Sequence, residues 1–305
     1  MILCAGEALI DMLPRETSAG EAAFAPHAGG AVFNTSIALG RLGVPTQFYS
    51  GISNDLFGEV LTGALAASNV DASLAHRSDQ PTTLAFVKLV DGHASYAFYD
   101  ENTAGRMLPL DSLPDTSADA LFLGGISLAV EPCAGTYAAL LKREASSKVT
   151  MIDPNIRPTF IKDEAVYRAR IAEMIGLADI IKLSDEDLDW IDPEGDTADK
   201  ARKMVADNDL KLLCITEGSK GVTGYTPTQE IFVAANKATV VDTVGAGDTF
   251  NAGLLASLHN AGLLTKSGVA SLSDDAVRDA LSLGAKTAAI TVSRAGANPP
   301  WASEL

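Results

Sequence analysis

Residues 242–250 read Asp242-Thr243-Val244-Gly245-Ala246-Gly247-Asp248-Thr249-Phe250, and no other stretch says more about the architecture. A valine-rich run (Thr239, Val240, Val241) leads into two glycines separated by one alanine, an aspartate follows at once, and a helix begins there. From Phe250 the apolar residues Leu254 and Leu258 recur at helical spacing, and Gly262 stands where a helix stops. A helix N-terminus presents unpaired N–H groups and a partial positive charge. Glycine lets an anion approach that backbone closely. Asp248, in the first turn, directs a carboxylate at whatever the anion hole holds. Phosphoryl transfer to a hydroxyl requires this geometry.

Outward from that segment, short apolar runs alternate with amphipathic stretches. Strands are expected over residues 2–5, 120–123, 149–152, 179–182 and 210–215, and helices over 137–144, 164–177 and 198–205. Such alternation implies an α/β fold, a parallel sheet covered by helices on both faces. Polar or small residues follow the strands (Gly124-Gly125, Asp153, Ser184, Thr216-Glu217-Gly218), at the sheet edge where open parallel sheets bind ligands. Residues 83–99 break the pattern with two strand-like runs around Asp91-Gly92, a hairpin signal; with residues 13–27 they predict a small separate sheet.

The chain has 305 residues, enough for a large core, and 47% hydrophobic against 20% charged residues excludes wholesale disorder. A net charge of −16 opposes binding to nucleic acid or anionic membranes. The cysteines Cys4, Cys133 and Cys214 sit in apolar contexts at distant positions, as buried reduced thiols do, and His27, His76, His93 and His259 show no ligand spacing. No leader-like N-terminus and no membrane-spanning run is visible, so a cytoplasmic location is expected. The Gly-x-x-x-x-Gly-Lys-Ser/Thr sequence of a P-loop does not occur, and Phe250 stands where a dinucleotide fingerprint needs its third glycine.

The segment from Asp242 to Leu255 resembles the C-terminal signature of the ribokinase-like (PfkB) carbohydrate kinases. Ala28-Gly29-Gly30-Ala31-Val32-Phe33-Asn34 resembles the N-terminal signature of the same family, in which two glycines and an asparagine meet the sugar. On its own, that stretch also fits a turn into a helix with Asn34 as N-cap. The resemblance runs from Gly6 to Asn298. It implies one ribokinase-like domain over residues 1–305, a three-layer sheet with a small β-sheet lid from about residues 13–28 and 82–104, and a homodimer through that lid. It also implies ATP and Mg²⁺ as cofactors and, in some relatives, K⁺.

Residue by residue, the resemblance makes Asp248 the base, with Gly245, Ala246 and Gly247 forming the catalytic anion hole. Because the proton leaves late in a loose transition state, an ordinary low pKa suffices for that base. Asp11, Gly29, Gly30 and Asn34 are expected to hold sugar hydroxyls, and Arg157, in Asp153-Pro154-Asn155-Ile156-Arg157, to meet phosphate or substrate oxygens. Ser184, Thr216, Gly218 and Gly221 are expected at the nucleotide. Ser184 and Asp187 occupy the ends of the family's Asn-x-x-Glu motif, so Asp187 is expected to reach Mg²⁺ through water. Asp242, with Ser293-Arg294-Ala295-Gly296-Ala297, resembles a monovalent-cation loop, although Pro300 replaces a usual serine.

Within the family, Gly6-Glu7-Ala8-Leu9-Ile10-Asp11-Met12, Pro81-Thr82-Thr83-Leu84-Ala85-Phe86 and the segments 153–158 and 182–190 resemble the bacterial fructokinases, implying free fructose as acceptor. A kinase of 2-keto-3-deoxygluconate or of another sugar or nucleoside is the alternative. Two classes outside kinases are weighed beside it: a non-catalytic sugar or nucleotide sensor, which an intact Asp248 opposes, and a dinucleotide-dependent oxidoreductase, which the missing glycine opposes.

Overall fold

The computed structural model describes residues 1–90 and 93–305. The expected Asp91-Gly92 turn lies outside the described residues. In chain order the N-terminal third runs β1 (Ile2–Ala5), β2 (Leu9–Glu16), β3 (Ala22–Gly29), α1 (Ala31–Arg41), β4 (Thr46–Tyr49), β5 (Gly51–Ser53), α2 (Leu56–Ala67), β6 (Val70–Asp71), β7 (His76–Ser78), β8 (Leu84–Val90) and β9 (His93–Tyr99). The middle contains β10 (Ala120–Gly124), α3 (Cys133–Glu144), β11 (Val149–Asp153), α4 (Glu164–Ile175), β12 (Ile180–Ser184), α5 (Asp185–Ile191) and α6 (Thr197–Asn208). The C-terminal part adds β13 (Leu212–Thr216), β14 (Gly221–Tyr225), β15 (Glu230–Ala234), α7 (Ala246–Asn260), α8 (Lys266–Val269) and α9 (Asp274–Val292).

A nine-stranded sheet has the order β15-β14-β13-β12-β11-β10-β1-β4-β6. Apart from the edge strands β6 and β15, its strands are almost wholly buried, and they alternate between two cores, because side chains two residues apart share a face. Ile2, Cys4, Phe122, Met151 and Ile180 face one core, with α1, α7 and α9. Leu3, Ala5, Leu123, Ile152 and Ile181 face the other, with α3, α4 and α6. The expected three layers are therefore present, with one correction to the all-parallel sheet: β13 pairs antiparallel with β14, and β14 with β15. The Thr216–Gly221 segment is too short for a crossover and turns the chain straight back, with Glu217 N–H donating to the Gly221 carbonyl at 2.9 Å.

A second, four-stranded sheet has the order β3-β2-β8-β9, with β2 and β3 forming a hairpin and β8 parallel to β2. It joins the main body through the β1–β2 connection and through an edge-on contact of Phe98 with Phe160, ring centroids 4.9 Å apart. The strand β3 ends at Gly29, so the chain passes from the small sheet directly into α1. Two elements thus begin at the same place: the small sheet delivers its inner residues to the start of α1, and α1 packs along α7. Cys4, Cys133 and Cys214 are buried and unpaired, and among the described residues no helix is long and apolar enough to cross a membrane.

Candidate active site

The N-termini of α1 and α7 meet. Gly30 precedes α1 with φ of 110°, and a Cβ there would lie 2.9 Å from the Glu7 carbonyl oxygen, so this entry to the helix excludes side chains. The Glu7 carboxylate accepts the Ala31 N–H at 2.9 Å and the Ser127 N–H at 3.4 Å, placing an acid at the positive end of α1. Asn34 falls inside α1 and is not its N-cap, which is Gly30. Its amide is thereby free to donate to Asp248 Oδ2 at 2.9 Å, and Thr35 Oγ1 donates to the Asp248 carbonyl at 3.1 Å.

Gly245 caps α7 in the left-handed conformation, φ 78°, and its carbonyl accepts the Thr249 N–H at 2.9 Å. In the first turn the Gly247 and Asp248 N–H groups have no helical partners, whereas the Ala246 N–H makes a long contact of 3.4 Å with the Thr243 carbonyl. Asp248 is only 7% exposed, and burial pushes its carboxyl up to about 7. The Asn34 hydrogen bond and Lys182 oppose that rise, whereas Asp153 and Glu7 add to it. An ordinary low value would suffice for the base, and this buried position raises it instead.

On the small sheet, Asp11 of β2 stands beside Gly29 of β3. A Cβ on Gly29 would overlap the Asp11 carboxylate, so glycine leaves the room that carboxylate fills. Burial raises the Asp11 carboxyl to about 6. The structure thus brings Asp11, Gly29, Gly30, Asn34 and Asp248 to one junction between the sheets. Arg157 is not drawn into it: the side chain is exposed, and its Nη1 donates to the Ile156 carbonyl at 3.0 Å.

Farther along the strand ends, Ser184 caps α5 in a capping box, its hydroxyl accepting the Asp187 N–H at 3.0 Å and its N–H donating to Asp187 Oδ2 at 3.1 Å. Asp187 Oδ1 accepts the Ile156 N–H at 2.9 Å, so both carboxylate oxygens already hold backbone. Thr216 pairs with Ser184 across β12 and β13, and its hydroxyl donates to the Leu183 carbonyl at 3.3 Å. Gly218, at φ 55°, has open space where a side chain would stand, whereas Gly221 lies tight against β15. Asp242 accepts the Val244 N–H at 3.0 Å and the Gly296 N–H at 2.9 Å, stitching the segment before α7 to the loop after α9. Among the described residues no group of three or more His, Cys, Asp or Glu is placed to hold a metal ion.

The model of the pfkB family carbohydrate kinases matches residues 1–304. The chain belongs to that family. It is 56% identical over 281 residues to a fructokinase of Rhizobium leguminosarum bv. trifolii, covering 92% of this chain and 86% of that protein. Its fold matches the fructokinase of Xylella fastidiosa with bound ATP at a TM-score of 0.85 and 29% identity, over 97% of this chain and 93% of that one. It also matches the fructokinase of Vibrio cholerae O395 in its fructose, ADP and calcium ion bound form, at a TM-score of 0.83 and 26% identity, over 97% and 94% of the two chains. The ribokinase-like architecture and the carbohydrate-kinase class expected from the two signatures are thereby established.

Sequence reasoning assigned no role in this kinase to Glu7, Lys182, Asn251 or the side chain of Asp153. Lys182 Nζ lies 3.1 Å from Asp153 Oδ2, and Asn251 Nδ2 reaches the same oxygen at 2.7 Å. A lysine inside the buried run Ile180-Ile181-Lys182-Leu183 was the available signal, because a charge in such a strand needs a buried partner. Cavities of about 560 Å³ beside Phe98 and Phe160, and of about 460 Å³ beside Arg202 and Tyr225, are lined by neither Asp248 nor Asn34.

Proposed function

We propose that this kinase transfers the γ-phosphate of ATP to the primary hydroxyl of free fructose. The 2.9 Å hydrogen bond from Asn34 to Asp248 carries this reading, because it joins the two family signatures across 214 positions into one site. Asp11, Gly29, Gly30 and Asn34 hold the sugar hydroxyls. Asp248 accepts the proton as the hydroxyl oxygen attacks phosphorus in line, and the N–H groups at the start of α7, framed by Gly245, Ala246 and Gly247, stabilise the charge on the transferring group. The value near 7 keeps Asp248 a stronger base than an exposed carboxylate while leaving it ionised above neutrality.

ATP lies along the strand ends, over Ser184, Thr216 and Gly218, where open space at Gly218 fits close backbone approach; Gly221 shapes the turn behind them. Mg²⁺ supplies charge neutralisation between the phosphates. With both Asp187 oxygens engaged by N–H donors, that carboxylate acts on the ion through water. The Asp242 loop is the site proposed for K⁺. Arg157, exposed and close in sequence to Asp153, is proposed to swing toward bound phosphate or substrate oxygens. The small sheet, with residues 13–28 and 82–104 as its subdomain, acts as a lid on a single domain and excludes water from the transfer.

The lid also offers a dimer contact. On the face away from Asp11, Met12, Pro14, Phe24, Pro26, Phe86 and Tyr99 are all apolar, with Phe24 and Tyr99 48% and 63% exposed. A second copy of the chain would cover them. Buried unpaired thiols fit a reducing cytoplasm, and the charge of −16 fits a protein without nucleic-acid or membrane partners. Fructose-dependent ADP release, abolished by Asp248→Asn, tests the central assignment; no sugar-dependent turnover in the unaltered protein would overturn it.

A further inference from the structure

Glu7, Asp153, Asp187 and Asp248 are each at most 8% exposed; Asp248 lies in the first turn of α7, Glu7 and Asp153 act on it, and Asp187 acts on the neighbouring Lys182. The Lys182 ammonium is set among three of them, feeling Asp153, Asp187 and Asp248. It lies 3.1 Å from Asp153 Oδ2 and 3.1 Å from where a Cβ on Gly247 would stand, directly beneath the first helical turn. Asp153 is itself held from two further sides, by Asn251 Nδ2 at 2.7 Å and by the Asn155 N–H at 3.1 Å. Asn251 commits its amide to this contact while its own Oδ1 is buried without a donor. Buried unpaired acceptors are rare in native folds and mark places where another requirement outweighs hydrogen bonding. Lys182 also sits between Ile181 and Leu183 in a strand where an apolar residue would pack as well or better.

We propose that Lys182 is a positioning residue for phosphoryl transfer: fixed by Asp153 and Asn251, its ammonium is the permanent cation beneath Gly247 that favours the carboxylate form of Asp248 and the negative charge passing over the helix start. The inference rests on Asp248 being the base. The groups that face Asp248 are Glu7 from the β1–β2 connection, Asn34 from α1, Asp153 from β11 and Lys182 from β12. The packed helix α9 contributes the hydroxyls of Thr287 and Thr291, both directed at Thr249, and no charge. Of the charged groups in that set, Asp153 and Glu7 disfavour ionisation, and Lys182 alone supports it. An ammonium is suited to this place because Asp153 fixes its position while its remaining protons stay available to oxygen atoms above Gly247.

The test is the pH dependence of kcat/KM for fructose, at saturating ATP, in Lys182→Met, Asp153→Asn and the two combined, with folding checked by thermal melting. Lys182→Met is expected to move the acid limb upward by about one pH unit, a loss of about 5-fold at neutral pH that grows toward about 10-fold below pH 6 and closes toward pH 9. Asp153→Asn moves it downward, and the charge-neutral pair returns it to near the unaltered position. Loosened packing cannot produce opposite displacements. Limbs that stay in place, or move together in one direction, overturn the inference even though the enzyme turns over. If Lys182→Met does not fold, the direction of the Asp153→Asn limb decides alone. If the unaltered protein turns over another sugar and not fructose, the same limbs are read with that sugar; no sugar-dependent turnover at any pH overturns the assignment of Asp248 as base, and this inference with it.

Discussion

The Asp11 carboxylate occupies the space that a side chain on Gly29 would need. The acid and the glycine are therefore one device: β3 supplies an empty flank so that β2 can aim a carboxylate at the junction of the two sheets. Removing the acid in Asp11→Ala should cost sugar binding about 1.5–3 kcal/mol, as for a charged acceptor lost from several hydroxyls. Gly29→Ala should weaken sugar binding in the same direction by pushing the carboxylate aside. Titration calorimetry with ATP alone should show no change in either variant. Surviving sugar affinity with collapsed ATP affinity would reverse the two subsites.

Asp248→Asn keeps the shape of the base and removes its proton acceptance. Turnover should fall about 10²–10⁴-fold while ATP binding changes little. Near-normal turnover would remove Asp248 from the chemistry. In the unaltered enzyme kcat/KM should decline below pH 7, because the carboxyl near 7 becomes protonated and cannot act as base.

Stability should respond in the opposite sense. The Asp248 carboxyl is held at about 7 in the folded chain against 3.8 as its ordinary value, so the folded state binds its proton more tightly than the unfolded state does. Its contribution is therefore most favourable below pH 4 and is lost as pH rises through 7. Asp248→Asn, which is neutral at every pH, should be more stable than the unaltered protein at pH 8 by on the order of 3 kcal/mol, with the gap shrinking toward pH 5. Melting curves at the two pH values check this; a gap that widens on acidification would contradict the burial of an ionised group.

These residues were legible because their chemistry is local. Gly245 and Gly30 each hold a positive φ at the start of a helix, so the motif carries that geometry itself, and Gly29 answers Asp11 on the adjacent strand of one hairpin. Glu7, Asp153 and Asn251 are different: each is an unremarkable polar residue until the fold brings it to the start of α7 or beside Lys182, and Lys182 alone carried a signal, as a charge in an apolar strand. The same reason explains the missed antiparallel edge. The run Gly221-Val222-Thr223-Gly224-Tyr225 is short and glycine-rich, and its strand character comes from β13 on one side and β15 on the other. Helix limits moved for local reasons: α3 starts at Cys133, ahead of the expected 137, because apolar contacts of Cys133 and Ala134 outweigh the weak propensity of Gly135. At the other extreme α4 stops at Ile175, where Gly176 caps it inside the expected span.

The edge-on contact of Phe98 with Phe160 ties the small sheet to the loop after β11. If that sheet is a lid, Phe160→Ala should let it stand open. Fructose KM should then rise several-fold, and ATP hydrolysis without sugar should increase, because water competes as nucleophile in an open site. Steady-state kinetics with and without fructose separate the outcomes. Unchanged KM and unchanged leakage would make the small sheet a surface element with no gating role.

The substrate itself is the last expectation. Asp11, Gly30 and Asn34 offer a charged acceptor, a close backbone and an amide, which suit neutral hydroxyls. Among the described residues no lysine or arginine is bonded to Asp11, Gly30 or Asn34, and Lys182, beneath Gly247, is already paired with Asp153; a sugar already bearing a phosphate would need a free cation beside those three. Fructose should therefore outcompete fructose 6-phosphate in kcat/KM by a wide margin. Arg157 supports the one serious competitor, since its exposed guanidinium is engaged at Nη1 only with the Ile156 carbonyl and suits a sugar-acid carboxylate. Comparing kcat/KM for fructose, ribose, a nucleoside, fructose 6-phosphate and 2-keto-3-deoxygluconate decides between them, with fructose expected first. If the sugar acid leads by about an order of magnitude, and Arg157→Ala removes that lead, the phosphoryl-transfer chemistry of Asp248 stands and the acceptor is an acid in place of fructose.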